Sequence, residues 1–285
     1  MRPRELSSTL DLFPALTPTL APATHTNSYA IGGRDVILVE PATPYADEQR
    51  AWIDWARALA SHGRRPVAIV ATHHHPDHVG GVEILARELG LGVWAHEATA
   101  ARLDGEARSL VTRRLADGDA IVLAGPIDES WRVLHTPGHA PGHVCLFEER
   151  TRTAIVGDMV ASVGTILIAP GDGDMQIYLA QLDRLAGLGA SLALPAHGEP
   201  IDEPTELFRK YIAHRLMREA KVLEAVRQAG PEGATSADLV PVAYADTPVA
   251  LWPIAKLSLE MHVEKLEREG RVERAPAKAD AFRVV

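Results

Sequence analysis

Short apolar, β-branched runs that end directly in a histidine or an aspartate are what most restrict the folds open to this 285-residue chain. Pro66-Val67-Ala68-Ile69-Val70-Ala71 runs into Thr72-His73-His74-His75-Pro76-Asp77-His78-Val79-Gly80-Gly81. The run is too short for a core helix and reads as a buried strand. The string after it sets three imidazoles (His73, His75, His78) and one carboxylate (Asp77) close together, and Gly80-Gly81 lets the backbone turn into a helix expected over 82–90. The pattern recurs three times. His135-Thr136-Pro137-Gly138-His139-Ala140-Pro141-Gly142-His143 follows a strand-like run over 131–134, Asp158 follows Ala154-Ile155-Val156-Gly157, and His197 follows Leu192-Ala193-Leu194-Pro195-Ala196. A sheet that gathers its strand ends on one edge would bring all these groups together, where open α/β sheets put their chemistry.

Imidazole and carboxylate suit Zn²⁺ and similar divalent ions. With 13 histidines in the chain, a His-rich tract can bind metal by accident. Partners arriving later in a fixed order argue for a built site. The series resembles the metallo-β-lactamase superfamily, over roughly residues 20–205. The resemblance implies an α+β chain built on an αββα metallo-β-lactamase sandwich. It implies that His73, His75 and His139 hold a first metal, that Asp77, His78 and His197 hold a second, and that Asp158 bridges them. His139 is preferred to His143 as the third ligand of the first metal because it occupies the family's Gly-His position. His143 is then a group behind the ligands or facing the substrate.

Asp77, Asp158 and His143 are the candidate catalytic residues, and two Zn²⁺ per chain are expected, with Fe²⁺ or Mn²⁺ compatible with the same nitrogen and oxygen donors. Two ions about 3.5–4 Å apart can share a hydroxide, because bound water falls from a pKa of about 15.7 towards 7. No serine, cysteine or lysine nucleophile is required. Within the resemblance, Asp158 separates the chain from true β-lactamases, which lack the bridging carboxylate, and aligns it with thioesterases, nucleases and other hydrolases. His75 stands where flavodiiron proteins carry Glu, which argues against diiron redox chemistry, while a mono-iron sulfur dioxygenase would share several of the ligands. One departure is Glu40-Pro41, where relatives carry Asp, and it bears on support of the metal loop rather than on ligation. His74 is expected to point away, His96 and His135 to be structural, and His62, His214 and His262 to lie in helix-like segments. His25, near the N-terminal strand, stays open.

Residues 1–22, rich in Pro, Thr and Leu, read as an extended lead-in. Segments 27–31 and 35–39 form a hairpin turning at Gly32-Gly33. A helix over 47–62 carries Trp52, Trp55 and Leu59 on one face and stops at Gly63. Strands are expected over 120–123, 131–134, 143–147 and 153–156. Gly164, Gly171 and Gly173 mark a loop that ends at Asp174, a cap for a helix with Tyr178, Leu179 and Leu182. Further on, Phe208, Ile212, Leu216, Leu223 and Val226 recur at helical spacing, Thr235-Ser236-Ala237-Asp238 reads as a helix start, and Leu251, Ala255, Leu259, Val263 and Leu266 give a helix stopped at Gly270. Strands over 271–274 and 282–285 complete a winged-helix-like module. The expected division is a catalytic domain over 1–207 and a winged-helix-like domain over 208–285.

Charge narrows the partners. Residues 208–285 carry 13 basic and 11 acidic side chains, which leaves 16 of the 29 basic and 27 of the 38 acidic ones, a net of −11, for residues 1–207. Such a surface favours cations and repels polyanions. Aromatics are 5% of the chain, so stacking platforms for single strands are scarce. The third helix of the terminal module mixes Lys256, Lys265 and Arg268 with Glu260, Glu264, Glu267 and Glu269, where a groove-reading helix should be basic. Tyr211-Ile212-Ala213-His214-Arg215 and Leu266-Glu267-Arg268-Glu269-Gly270-Arg271-Val272 resemble the β-lactamase-like protein 2 family, which implies single-strand endoribonuclease activity as a second reading. The leading expectation is a dinuclear zinc hydrolase of a small acyl, thioester, ester or lactone substrate. A DNA-binding regulator with structural metal is a third and disfavoured reading. No apolar run is long enough for a membrane span or a signal segment, and Cys145 reads as a buried inert thiol, so a cytoplasmic location is expected.

Overall fold

In the computed structural model, which describes residues 3–276 and 278–285, the short apolar runs become strands of two mixed sheets. The first sheet is β1 (Arg4–Ser7), β2 (Leu10–Leu16), β3 (His25–Ile31), β4 (Asp35–Val39), β5 (Arg65–Val70), β6 (Val93–His96) and β7 (Val111–Leu115), in that spatial order. β1 to β4 pair antiparallel and β4 to β7 parallel. The second sheet holds β8 (Ala120–Leu123), β9 (Glu129–His135), β10 (Val144–Glu148), β11 (Thr153–Gly157), β12 (Leu192–Pro195) and β13 (Ile201–Asp202), in the order β13-β12-β11-β10-β9-β8. Within the lead-in expected over 1–22, the described residues thus include two strands, β1 and β2. Leu10 and Leu12 bury between the sheets while Phe13 and Ala15 pack on the opposite face, so a strand apolar on both sides is disguised within a Pro- and Thr-rich stretch.

Period-two alternation sorts each strand between two cores. Ile37 and Val39 of β4, with Leu12, Tyr29 and Val70, meet Trp131, Val133, Leu146, Ile155 and Leu194 of the second sheet. Val36 and Leu38 face the other way, with Ile69 and Val93, onto α1 (Ala46–Ser61) and α3 (Val82–Leu89). Trp52, Trp55 and Leu59 of α1 and Leu85 of α3 fill that layer. Three short helices connect strands: α2 (Pro76–Val79), α4 (Glu97–Ala100) and α5 (Gly105–Ser109). Gly90, at φ 65°, ends α3 in the left-handed conformation that glycine adopts without cost.

Contacts divide the chain into two units, one running to Thr165 and including Gly189–Pro204, the other combining Ile166–Leu188 with Thr205–Val285. The units thus interleave along the chain instead of parting once at 207/208. The second unit contains α6 (Met175–Ala186), α7 (Thr205–Gln228), α8 (Ser236–Ala243), α9 (Trp252–Arg268) and a sheet of β14 (Ala234–Thr235), β16 (Lys278–Val284) and β15 (Val272–Ala275). α6 groups there because buried Tyr178 and Leu182 pack towards α7, where the Arg215 guanidinium lies 5.7 Å from the Tyr178 ring centroid. Asp174 caps α6, accepting from Ile177 N at 2.9 Å. Thr235 and Asp238 form a reciprocal capping box at the start of α8. Val222, Val226, Leu239, Leu259, Val263, Leu266 and Phe282 make the core of this winged-helix module.

His262 of α9 is fully buried, and neither ring nitrogen has a hydrogen-bond partner among the described residues. Burial first, then the charges of Arg215, Lys265, His214 and Arg218, lower its pKa to about 3. The unfolded chain, with an ordinary histidine near 6.5, therefore takes up the proton first as pH falls. Stability is complete above about pH 6.5 and is lost towards pH 3, by about 1.4 kcal/mol per unit. His262→Met removes the titration at similar volume and should flatten the loss of melting temperature between about pH 6.5 and 4.5. An unchanged pH slope in thermal melts would contradict this.

Candidate metal centre

The topology brings the ligand-bearing strand ends to one place. β4 and β5 run parallel, so Glu40 after β4 and the 72–78 string after β5 leave the first sheet on the same edge. In the second sheet β9 and β11 are each antiparallel to β10, and β12 is parallel to β11. Their carboxyl ends accordingly lead to His139, Asp158 and His197 on a common edge. Pro76 opens α2, and that single turn carries Asp77 and His78. A Cβ on Gly81 would lie 2.7 Å from the Thr43 carbonyl oxygen, so the chain needs glycine to leave the ligand string there.

Two clusters of ligating atoms result. His73 Nε2 lies 3.0 Å from His75 Nδ1 and 3.2 Å from His139 Nε2, and the last two are 2.9 Å apart. Tetrahedral zinc with Zn–N bonds of about 2.0–2.1 Å spaces its nitrogens by roughly 3.3–3.4 Å, so this triangle has the size of a metal position. Nearby, His197 Nε2 is 3.6 Å from Asp77 Oδ2, and His78 Nε2 is 3.8 Å from Asp77 Oδ1. The His73–His75–His139 and Asp77–His78–His197 sets each gather their ligating atoms within 4.8 Å. Asp158 touches both. Its Oδ1 is 3.5 Å from His78 Nε2 and 3.4 Å from His197 Nε2, while Oδ2 is 3.4 Å from His139 Nε2. His78 Nε2 and Asp158 Oδ1 are buried without a hydrogen-bond partner among the described residues. Orphaned polar atoms of this kind are costly unless an ion takes them up, so the residues fit a metal.

Supporting hydrogen bonds fix which nitrogen each histidine presents. His78 Nδ1 donates to Glu40 Oε1 at 3.1 Å, leaving Nε2 for ligation. His197 Nδ1 donates to the His25 carbonyl at 3.0 Å. Thr72 Oγ1 donates to Glu40 Oε1 at 2.5 Å and so accepts from His73 Nδ1 at 3.1 Å. Glu40 itself is 1% exposed and sits at φ 62°, a backbone state that a non-glycine residue holds only when its surroundings enforce it. Ser28 Oγ donates to its carbonyl and Val70 accepts from its amide. Glu40 thus supports the ligand loop and holds His78, in keeping with the expectation that this departure bears on support. Asn27 clamps the other side, donating from Nδ2 to the carbonyls of Pro195 and Gly198 around His197.

The electrostatics divide the two clusters. Burial, reinforced by His78, His139 and His75, holds His73 well below the ordinary histidine pKa. Burial also opposes charge on His78, but Asp158, Glu40 and Asp77 outweigh it and raise His78 well above that value. His197 is raised against its burial by Asp158, and Asp158 is held well below the carboxylate range by His78 and His197 despite burial.

All seven expected ligands therefore meet in two adjoining groups. His143 lies behind them, fully buried, with Nδ1 at Thr136 Oγ1 and Nε2 at the Asp158 amide, so both ring nitrogens are already engaged. His74 is half-buried beside His75. His96 and His135 stack at 3.9 Å, with His96 Nδ1 capping α4 and His135 Nε2 bonded to the Pro141 carbonyl, as structural histidines do. Asn27, Thr72 and Thr136 are not legible as supports from sequence, since nothing in a Thr or Asn next to a strand end distinguishes a brace from a solvated turn. Glu40→Gln should keep the fold but weaken metal binding by about 10–100-fold, the usual cost of losing a carboxylate behind a ligating histidine. Competition against a chromophoric chelator measures it, and an unchanged affinity would remove Glu40 from the site.

Comparison with known proteins identifies the family. Residues 21–197 match the family described as the Metallo-beta-lactamase superfamily, and residues 235–280 match the Beta-lactamase associated winged helix domain. A Beta-lactamase-like protein 2 homolog from Caenorhabditis elegans is 29% identical over 251 residues, 87% of this chain and 80% of the relative. An Atrochrysone carboxyl ACP thioesterase from Aspergillus chevalieri is 29% identical over 214 residues, 73% of this chain and 63% of the relative. The crystal structure of a metallo-beta-lactamase family protein from Thermus thermophilus superposes with a TM-score of 0.77 at 25% identity, covering 99% of this chain and 100% of the other. The chain belongs to the metallo-beta-lactamase superfamily, as a metallo-β-lactamase-fold hydrolase that carries the associated winged helix domain.

Proposed function

We propose that the protein is a dinuclear zinc hydrolase of small acyl substrates (thioesters, esters or lactones). In this reading His73, His75 and His139 hold one ion, Asp77, His78 and His197 hold the other, and Asp158 serves both. The observation that carries it is the carboxylate of Asp158, whose two oxygens face different histidine sets at 3.4–3.5 Å. A pair of divalent ions, when bound, supplies Lewis acidity and ionises water near neutrality. The chain's own residues orient the donors and hold their protonation. Glu40 and Thr72 keep the protons of His78 and His73 on the outer nitrogens, and the His25 carbonyl does the same for His197. Asp77, with a side chain 18% exposed, is more open to solvent than Asp158 at 9%.

Charge supports a small substrate. Residues 1–207 carry a net −11, and every Lys and Arg from Lys256 to Arg283 is already in an ion pair: Lys256–Glu260, Lys265–Glu219, Arg268–Asp174, Arg271–Glu219, Arg274–Glu267, Lys278–Asp238 and Arg283–Glu273. A phosphate backbone would meet little unneutralised positive charge on this module. α9 also packs on α6 within its own unit, which occupies a face that a groove-reading helix would need. The relative named as a carboxyl ACP thioesterase points the same way. Single-strand RNA cleavage stays as the rival, on the similarity to Beta-lactamase-like protein 2 homologs.

A panel of acyl thioesters, esters and lactones, run beside labelled single-stranded RNA, tests the proposal. Zinc-loaded protein should turn over at least one acyl class and leave RNA intact. Asp158→Ala should lose more than the roughly 10–100-fold that an outer supporting group costs. Equal turnover by the two proteins, or cleavage of RNA alone, would overturn it. Acidification provides a second test, because metal binding requires neutral imidazoles. His78 and His197 are raised and His73 lowered, so protons compete sooner at the Asp77–His78–His197 position. Zinc content should fall from two ions to one, and only then to zero, as pH drops from about 8 to 5. Simultaneous loss of both would contradict the assignment.

A further inference from the structure

We propose that His143 is a positioning residue that holds Asp158 in register with both metal positions by gripping its backbone amide, with Thr136 fixing the nitrogen that does so. The inference rests on the role given above to Asp158, and it concerns a buried side chain whose two ring nitrogens are both engaged away from the ligating atoms. His143 sits immediately before β10 and is 0% exposed. The Asp158 amide donates to its Nε2 at 3.0 Å, so Nε2 carries a lone pair and the ring proton is on Nδ1. That proton is donated to Thr136 Oγ1 at 2.8 Å. Thr136 Oγ1 lies 3.3 Å from Cys145 Sγ, which is in turn 3.6 Å from the Val156 carbonyl. A chain of contacts thus crosses from the end of β9, through β10, to the end of β11 beneath the shared carboxylate.

Two independent features show that the slot is built for the ring. The β11–β12 ladder is irregular between Ile155 and Gly157, so regular strand pairing ends just before Asp158 and the imidazole takes over as acceptor for its amide. Gly157 stands at φ 48°, and a Cβ there would lie 2.5 Å from His143 Nε2. The backbone beside the ligand is thus shaped to the imidazole, and only glycine lets the two approach so closely. A buried amide left without an acceptor costs free energy and is free to reorient. Asp158 turns an oxygen to each cluster, so a small rotation there would be felt at both.

The test separates grip from mere packing. His143→Gln puts an amide oxygen near the Nε2 position, whereas His143→Leu fills the slot without an acceptor. In metal-free protein, hydrogen exchange at the Asp158 amide should be slow in wild type and in His143→Gln, and fast in His143→Leu, with melting temperatures confirming that all three are folded. In zinc titrations, His143→Leu should lose about 10–100-fold in affinity, a size typical of supporting groups, and His143→Gln should recover most of it. Thr136→Val should fall between them. Equal amide protection in all three proteins, or equal zinc affinity in His143→Leu and wild type, overturns the proposal. So does a His143→Gln protein as impaired as His143→Leu, because that would mean the ring only fills space. If wild type binds fewer than two ions, the dinuclear reading fails, and the metal-free amide measurement alone then decides whether His143 holds Asp158.

Discussion

A single buried carboxylate with its two oxygens turned to different partners sets the conditions for the rest of the catalytic unit. Asp158 is 6% exposed, and an ionised carboxylate so far from water is stable only if surrounded by compensating donors or cations. His78 and His197 meet one oxygen and His139 meets the other. These three imidazoles come from loops after β5, β12 and β9, far apart in sequence, so Asp158 can be satisfied only when both sheets are formed and paired in register. The sandwich core of Leu12, Val39, Val70, Val133, Leu146 and Ile155 fixes that register from within. Hydrophobic burial and ligand geometry are therefore two aspects of one constraint: a slip of one residue in β5 or β11 would turn core side chains outward and move the ligands away together.

The supports around the centre are arranged at some cost to local comfort. Glu40 takes a left-handed backbone conformation, His78 Nε2 and Asp158 Oδ1 have no hydrogen-bond partner among the described residues, and four imidazoles crowd against one another with ring centroids 3.9–4.9 Å apart. Sites where several local rules are broken together tend to be those kept for function. Bound metal would take up the orphaned atoms and replace repulsion between imidazoles by shared ligation. The tautomers are already set for that outcome, because Glu40, Thr72 and the His25 carbonyl hold the outer nitrogens.

Much of this is legible in the residues because function and secondary structure coincide along the chain. Each ligand follows an apolar run, so the strands over 66–71, 131–134, 153–156 and 192–195 point to the fold and to the site at once. Cap residues are equally readable: Asp174, Thr235 with Asp238, and Gly270 behave as their chemistry dictates. What stays hidden depends on tertiary contacts. β1 and β2 read as lead-in because β2 buries apolar residues on both faces, Leu10 and Leu12 on one and Phe13 and Ala15 on the other, and so shows no clean alternation among its Pro and Thr neighbours. The helix with Tyr178 reads as part of the preceding domain because no local pattern announces its packing towards α7. His143 stands out in the sequence, but its engagement by Thr136 and the Asp158 amide follows only from the structure. The mixed charges of α9 are visible, whereas their pairing residue by residue is not.

Diffraction from zinc-grown crystals, recorded on both sides of the zinc absorption edge, addresses the central claim most directly. The account predicts two anomalous peaks about 3.5–4 Å apart, one bonded to His73, His75 and His139, the other to Asp77, His78 and His197, each within bonding distance of a different oxygen of Asp158. A single peak, or two peaks with the Asp158 carboxylate turned to only one of them, would contradict it.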